Sequence, residues 1–176
     1  HEIDTAGDGF FVAFDSARGA VEAAIEGQLA LGSEDWPDGI AFRVRMGLHT
    51  AEPHLGDEGY VGVGVHRASR ICDAGRGGQI LLSNATAGIV EDAELPGVRL
   101  VDLGEHRLKG LHVEQRLFQL TAPGLDARFD ELRTADAAAA PSAGTFVWTD
   151  VTGFGRVIRA VGDEASSALI ASYHSA

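Results

Sequence analysis

The sequence predicts an α/β or α+β sandwich, in which helices pack against one sheet. Segments with the three-to-four spacing of amphipathic helices alternate along the chain with segments of alternating or continuously apolar residues. Strands that alternate with helices and mix with hairpins indicate this class. At 176 residues, 45% of them hydrophobic, the chain can bury one substantial core.

The first elements are a hairpin and a helix. The stretch "EIDTAGDGFFVAF" has two extended arms around the turn at residues 7–9, where glycine supplies the unusual backbone angles. A helix follows, capped by Asp15 or Ser16 and ending at Gly32. Its one-sided apolar stripe contains Ala17, Ala20, Val21, Ala24, Ile25 and Leu29.

The middle of the chain predicts a strand, a helix and three further strands. "AFRVRMGLHT" at 41–50 alternates strictly and indicates a strand with one buried face. A second helix runs from about Gly62 to Ala74, and "QILLS" is a short buried strand. "VRLVDLGEHRLKGL" and "EQRLFQL" are typical of antiparallel strands near the end of a sheet.

Beyond residue 120 the composition changes. Residues 121–144 carry two prolines, an alanine run and little periodicity, which indicates a linker. After it, "TFVWTDVTGFG" predicts a strand that delivers Asp150 to a glycine-containing turn at a helix start, and helical sequence continues through Tyr173.

The charge balance restricts the function. Acidic residues outnumber basic ones 26 to 14, a formal net charge of −12, which works against general nucleic-acid binding. The same field repels a free polyphosphate unless a divalent cation reverses the local sign, so phosphate chemistry here should depend on a metal. No apolar run approaches a membrane span, the N-terminus lacks the regions of a signal peptide, and the single Cys72 suits a reducing compartment. We therefore expect a cytoplasmic protein without a membrane partner.

Five residue positions are candidates for chemistry. Asp8 and Asp150 are turn carboxylates, of the type that Mg²⁺ takes together with substrate phosphates, although aspartate is also an ordinary turn residue. His66 and Arg70 lie four apart and share a helix face, where Arg70 can neutralise a transferring phosphoryl group. The alternative for that pair is a solvated polar face, and for Lys109 a surface lysine at a strand end.

Four motifs in order carry a resemblance to a known family. They are "EIDTAGDGFFVAF", "VRMGLHTAEP", "GYVGVGVHRASRICDAGRGGQILLS" and "LVDLGEHRLKGL". Over residues 2 to 120 the chain resembles the catalytic domain of class III nucleotidyl cyclases, in the bacterial branch. The resemblance implies a ferredoxin-like, mainly antiparallel mixed sheet with helices packed on it. It also implies that "GLDARFDELRTADA" is the tail that often follows such domains.

The resemblance also implies a circular permutation. The family's first strand and helix are absent from the start of the chain, and "WTDVTGFG" resembles them near its end. Residues 1–120 are then the main part of the domain, 121–144 the linker, and 145–176 the permuted first strand and helix. Chain ends of domains are commonly close together, where permutation is tolerated. The alternatives are that 145–176 begin a truncated second copy or complete a neighbouring molecule by swapping.

By resemblance, the site residues come from both subunits of a homodimer. Asp8 and Asp150 match the aspartates that bind two Mg²⁺ or Mn²⁺ ions, and the backbone of residues 151–155 would meet the phosphates. That stretch comprises Val151, Thr152, Gly153, Phe154 and Gly155. Across the dimer interface, Arg70 matches the transition-state arginine, Lys109 a phosphate-binding lysine, and His66 the group that orients the ribose.

The sequence departs from the family at the base-reading positions. Asp4 stands where an adenine-reading lysine is usual, Gly59 where its partner aspartate is usual, and Gly155 where the family has threonine. The expected reaction is conversion of ATP to 3′,5′-cyclic AMP and pyrophosphate. The alternatives are a guanylate or relaxed-specificity cyclase, or a weak or inactive module that binds nucleotide and dimerises.

Overall fold

The computed structural model describes residues 2–6, 9–37, 41–52, 54–56 and 59–134. Its strands are β1 (Glu2–Ala6), β2 (Gly9–Val12), β3 (Met46–Leu48), β4 (His54–Gly56), β5 (Gly59–Val61), β6 (Ile80–Ser83), β7 (Arg99–His106) and β8 (Gln115–Thr121). Its helices are α1 (Ala17–Ser33), α2 (Val63–Ala74) and α3 (Asn84–Asp92). The expectations for Asp8, for Asp150 and for residues 135–176 lie outside the described residues, and so does the circular permutation.

The central sheet has four strands in the order β3-β6-β8-β7. β3 and β6 are parallel, with Met46 opposite Ile80, because α2 returns the chain to the same end of the sheet. β6 pairs antiparallel with β8, and β8 with β7. Two antiparallel hairpins, β1-β2 and β4-β5, accompany the sheet. The predicted α+β class, with its mixed and mainly antiparallel sheet, is confirmed.

Helices cover both faces of the sheet. Alternation along β6 and β8 sends successive side chains to opposite sides, and each side has its own hydrophobic cluster. The first cluster joins α1 and α3 to the sheet through Val21, Ala24, Ile80, Leu82, Val90, Leu95 and Leu120. The second joins α2 to the opposite face through Ile71, Ala74, Leu81, Leu108, Leu117 and Leu132. This second cluster holds the helix that carries the candidate site residues.

The predicted helix after the first hairpin forms as α1, and its N-cap is Ser16. The Ser16 hydroxyl accepts a hydrogen bond from the Gly19 amide at 3.1 Å, which satisfies one of the free amides of the first turn. The helix ends at Ser33, one residue after the expected Gly32. Its buried side chains are Val21, Ala24 and Gln28, which lie on the predicted stripe or next to it.

The structure differs from the sequence prediction in the length of one strand and in one additional helix. The strand expected over 41–50 is confined to Met46–Leu48, since residues 41–45 pair with no strand of the described sheet. α3 was not predicted. Ser83 caps it by accepting from the Thr86 amide at 3.3 Å, and the spacing of Ser83, Thr86, Ala87 and Val90 was the signal available.

The first part of the predicted linker packs against the domain. Residues 122–134 have no regular secondary structure, yet Leu132 is only 8% exposed within the cluster under α2. The Arg133 amide donates to the Ala74 carbonyl at 2.9 Å, and the Arg76 guanidinium donates to the Glu131 carbonyl. This segment, the docked tail, is thus tied to the C-terminal end of α2. The domain boundary within 121–144 stays a prediction.

None of the helices in the described part of the chain has the length and apolar character that crossing a bilayer requires.

Candidate functional site

His66 and Arg70 lie on α2 outside the buried face of the helix. Its buried residues are Ile71 and Ala74, whereas His66 is exposed and Arg70 is 31% exposed. The helix begins after Gly62, whose φ of 123° lies in the region that only glycine adopts readily. The turn of the backbone at Gly62 and the buried face of α2 together fix the orientation of the helix, and with it the positions of His66 and Arg70.

Arg70 is held by a carboxylate on its own helix. Its Nη1 donates to Asp73 Oδ2 at 3.0 Å, an i,i+3 ion pair. The other carboxylate oxygen of Asp73 lies 3.7 Å from Nη2 of Arg45, which directly precedes β3. Asp73 therefore bridges two arginines from neighbouring elements.

The turn that carries Lys109 lies beside Arg70. Leu108, 2% exposed, anchors the turn in the cluster under α2, and the Leu111 amide donates to the Leu108 carbonyl at 3.1 Å. Gly110 has a φ of 78°, and a Cβ atom built on it would lie 4.0 Å from Arg70 Nε. Lys109 itself is exposed. The tertiary structure thus brings the turn that carries Lys109 next to Arg70, although the two lie far apart in the sequence.

The remaining predicted site residues are only partly located. Asp4 lies in β1 and Gly59 in β5. Asp8, Asp150 and residues 151–155 lie outside the described residues. Within the described part of the chain there is no group of three or more His, Cys, Asp or Glu side chains able to hold a metal ion. The expected metal ligands therefore remain a prediction.

A second polar site was missed by the sequence reading. A cleft of about 390 Å³ lies where β3 and β6 end, and it is lined by His49, Arg67, Ser83, Asn84, Ala85, Glu105, Glu114, Gln115 and Arg116. The features of the sequence that could have predicted this cleft were a histidine directly after β3 and the serine that caps α3. Two basic and two acidic side chains face it, so the charge of the lining is balanced.

His49 is the centre of a hydrogen-bond network in this cleft. Its Nδ1 is 2.8 Å from Ser83 Oγ, and its Nε2 is 3.4 Å from Nη1 of Arg67. Because a guanidinium only donates, Nε2 accepts and the ring proton lies on Nδ1. Burial, and then the positive charge of Arg67, lowers the pKa of His49 below its usual value. The imidazole is therefore neutral at pH 7.

Comparisons with known proteins agree with this architecture. An adenylate cyclase of Trypanosoma brucei, solved in its monomeric state, is similar with a TM-score of 0.65 and 25% sequence identity, over 77% of this chain and 76% of that one. An adenylate/guanylate cyclase/hydrolase of Silicibacter pomeroyi has a TM-score of 0.60 and 27% identity, over 69% of this chain and 72% of that one. No protein-family model matches the chain.

A sequence relative covers a similar part of the chain. An uncharacterised protein of Mycobacterium tuberculosis is 38% identical over 132 residues, which are 75% of this chain. The chain spans 44% of that relative's length. The fold and the solved neighbours define a domain of the nucleotidyl cyclase type. The chain has the class III cyclase catalytic-domain fold, as its four motifs predicted.

Proposed function

We propose that this protein is a metal-dependent nucleotidyl cyclase that converts ATP to 3′,5′-cyclic AMP and pyrophosphate at the interface of a cytoplasmic homodimer. One observation carries the proposal. Within a cyclase-like fold, Arg70 and the Lys109–Gly110 turn meet on one side of α2, with Lys109 exposed and Arg70 partly accessible. An exposed lysine on a turn beside a partly accessible arginine, on a chain of net charge −12, favours an anionic ligand.

The reaction assigns a role to each of these side chains. The 3′-oxygen of the ribose attacks the α-phosphorus, a new P–O bond forms, and the bond to the pyrophosphate leaving group breaks. The hydroxyl proton is released to solvent. Arg70 stabilises the negative charge that develops on the phosphoryl oxygens, and Lys109 binds the phosphates as a point charge. His66, one helical turn before Arg70, is the proposed group that orients the ribose.

The divalent cation is part of the proposal. Asp8 and Asp150 are the expected ligands of two Mg²⁺ or Mn²⁺ ions, since oxygen ligands from one or two carboxylates suit such ions. A cation bound there would offset the charge of the triphosphate. The acidic field of the chain supports this dependence, because it disfavours a polyphosphate without a cation.

The base preference rests on residues that differ from the family pattern. Asp4 offers a carboxylate that pairs with two adjacent N–H donors on guanine or with the amino group of adenine, and Gly59 has no side chain to read a base. ATP is the proposed substrate, and a guanylate or relaxed-specificity cyclase is the alternative.

We also propose that residues 145–176 supply the missing first strand and helix of the same domain. The support is the match of "WTDVTGFG" to the family's opening motif and the absence of that motif from the start of the chain. Under this arrangement Asp150 and Asp8 of one chain serve one metal site. A swapped arrangement would instead pair Asp150 with Asp8 of a neighbouring molecule.

The direct test is a cyclase assay with ATP and with GTP, each with Mg²⁺ and with Mn²⁺. Cyclic nucleotide should form with ATP, and Asp8→Ala should abolish it without unfolding the protein. Glu22→Gln on α1, which removes one exposed carboxylate away from the site, is the matched control and should retain activity. Product that persists in Asp8→Ala would contradict the metal assignment.

A second candidate function is a nucleotide-binding and dimerisation module without turnover. The replacements at Asp4, Gly59 and Gly155 favour it, since they remove groups that the resemblance assigns to substrate recognition. Calorimetry distinguishes the two candidates. Metal-dependent binding of ATP or GTP with no cyclic product, from a folded dimer, would support the module.

A further inference from the structure

Asp73 occupies a distinctive position next to the proposed catalytic arginine. It lies one turn after Arg70 on α2, and its carboxylate faces both Arg70 and Arg45. Each carboxylate oxygen faces a different arginine, with Oδ2 at 3.0 Å from Arg70 Nη1 and Oδ1 at 3.7 Å from Arg45 Nη2. The side chain of Asp73 is thus restrained from two sides, and it in turn restrains Arg70.

This arrangement contributes little to stability. Arg70, Asp73 and Arg45 are 31%, 49% and 39% exposed, and half-exposed ion pairs add little because water screens them and the long side chains lose freedom. The main effect of these ion pairs is instead to restrict the conformations of the Arg70 side chain. An arginine that is already oriented loses less freedom when it engages an anion.

The geometry leaves part of the guanidinium available. Asp73 accepts a hydrogen bond only from Nη1 of Arg70. Within the described residues, Nε and Nη2 of Arg70 form no hydrogen bond. Gly110 contributes no side chain next to Arg70 Nε, from which a Cβ built on it would be 4.0 Å away. The free Nε–Nη2 edge of the guanidinium is therefore not the edge that Asp73 holds, and its Nε adjoins the Lys109–Gly110 turn.

We propose that Asp73, itself restrained by Arg45, is a positioning residue that orients the Arg70 guanidinium toward the phosphoryl group of the nucleotide. This inference rests on the proposed cyclase function and deepens it. Asp73 touches no substrate. It holds one edge of Arg70 so that the opposite edge offers its donors to the charge developing in the transition state.

The kinetic test compares Asp73→Asn, Asp73→Glu and the control Glu22→Gln, which breaks an i,i+4 ion pair on α1. Asp73→Asn should lower kcat by about tenfold and leave KM for the nucleotide within about twofold, because the lost interaction acts mainly in the transition state. Asp73→Glu keeps the charge and should recover part of the loss. Glu22→Gln should leave both constants unchanged.

A double-mutant cycle tests whether Arg45 acts through Asp73. Arg45→Met should lower kcat in the wild-type background, by less than Asp73→Asn does, and have no further effect when Asp73 is already Asn. Equal effects of Arg45→Met in both backgrounds would show that Arg45 does not act through Asp73. An unchanged or raised kcat in Asp73→Asn would overturn the inference, since Asp73 would then be neutral or would compete with the phosphate.

A measurement without turnover separates this inference from the proposed function. Nitrogen-15 NMR of arginine side chains, with Arg70 assigned by its loss in Arg70→Lys, reports how freely the guanidinium rotates. The Arg70 signal should show restricted rotation in the wild type and free rotation in Asp73→Asn, with or without cyclase activity. Free rotation in the wild type would overturn the positioning role even if the enzyme were active.

Discussion

At the scale of single residues, Gly47 marks the closest approach of β3 to α2. A Cβ atom built on it would lie 2.7 Å from Cys72 Cα and 2.8 Å from the Ala68 carbonyl oxygen, both of them backbone atoms. Backbone of a packed helix cannot move aside as a flexible side chain can. The absence of a side chain at Gly47 is therefore what lets α2 lie against the sheet and present Arg70.

Substitution of Gly47 should be costly. Gly47→Ala should lower the free energy of unfolding by about 3 kcal/mol or more, because α2 must move away from β3. Gly88→Ala is the matched control: it lies inside α3 with nothing within 4 Å of its built Cβ, and should raise stability by about 0.5–1 kcal/mol. Chemical denaturation of both variants provides the measurement. Equal, small effects would mean that β3 and α2 are not in close contact.

Protonation of His49 should destabilise the fold. A second ring proton would sit on Nε2, facing the guanidinium of Arg67. Since the pKa of His49 is lowered in the folded state, the unfolded chain binds more protons near pH 6. The stabilisation is present above the unfolded value of about 6.5 and is lost as pH falls toward the lower folded pKa.

Denaturation between about pH 7.5 and 5 checks this pH dependence. His49→Gln should flatten the fall in the free energy of unfolding, whereas substitution of the exposed His112 by Gln should leave the slope as in the wild type. A His49→Gln variant with the wild-type slope would show that another group causes the acid sensitivity.

At the scale of elements, the docked tail is fastened to two neighbouring parts of the domain. Arg76, just beyond α2, donates from Nε and Nη2 to the Glu131 carbonyl at 2.9 and 2.6 Å. Gln119 on β8 donates to the Ala127 carbonyl at 3.0 Å, and its side-chain oxygen accepts from the buried Gln79 at 2.8 Å. These polar side chains thus provide hydrogen-bond partners for backbone groups of a segment that pairs with no strand.

Removal of the Arg76 contacts should loosen the tail locally. Arg76→Met keeps an apolar stem but loses both donors, so trypsin should cut at Arg128 or Arg133 about fivefold faster, the factor for about 1 kcal/mol of local stability. Arg99→Met, at an exposed position of β7, is the control and should not change the cleavage rate at those two sites. An unchanged rate in Arg76→Met would mean that Leu132 alone holds the tail.

Local pattern predicted some elements better than others. α1 and the β7-β8 pair were expected because their caps, periodicity and turn residues are written in contiguous sequence. α3 has only nine residues and contains Gly88, so its periodic signal is short. The strict alternation over 41–50 extends beyond β3, because alternation indicates one buried face and does not specify where a partner strand ends.

At the scale of the whole molecule, the proposal requires two copies of the chain, with Asp8 of one copy and Arg70 of the other in the same site. Separately inactive Asp8→Ala and Arg70→Ala proteins should therefore complement each other when mixed and reassembled. Half of the dimers would be mixed, each with one intact site of two, giving about a quarter of wild-type activity. No recovery, with exchange of subunits verified, would contradict a shared site.

The same approach distinguishes permutation from swapping. If Asp8 and Asp150 of one chain serve one site, mixtures of Asp8→Ala and Asp150→Ala should stay inactive, because no chain carries both carboxylates. If Asp150 instead completes a neighbouring molecule, the mixture should regain activity. Single-variant samples treated in the same way provide the baseline.

Motifs and periodicity are local properties of a chain, and they were enough to predict the class of fold, the family resemblance and the candidate groups His66, Arg70 and Lys109. The contacts of Arg70 with the Lys109–Gly110 turn, and its restraint by Asp73 and Arg45, are visible only in the folded chain. Those contacts depend on strand order and on how closely α2 approaches β3 at Gly47. Such distances between segments far apart in the chain are set by packing, and sequence spacing does not encode them.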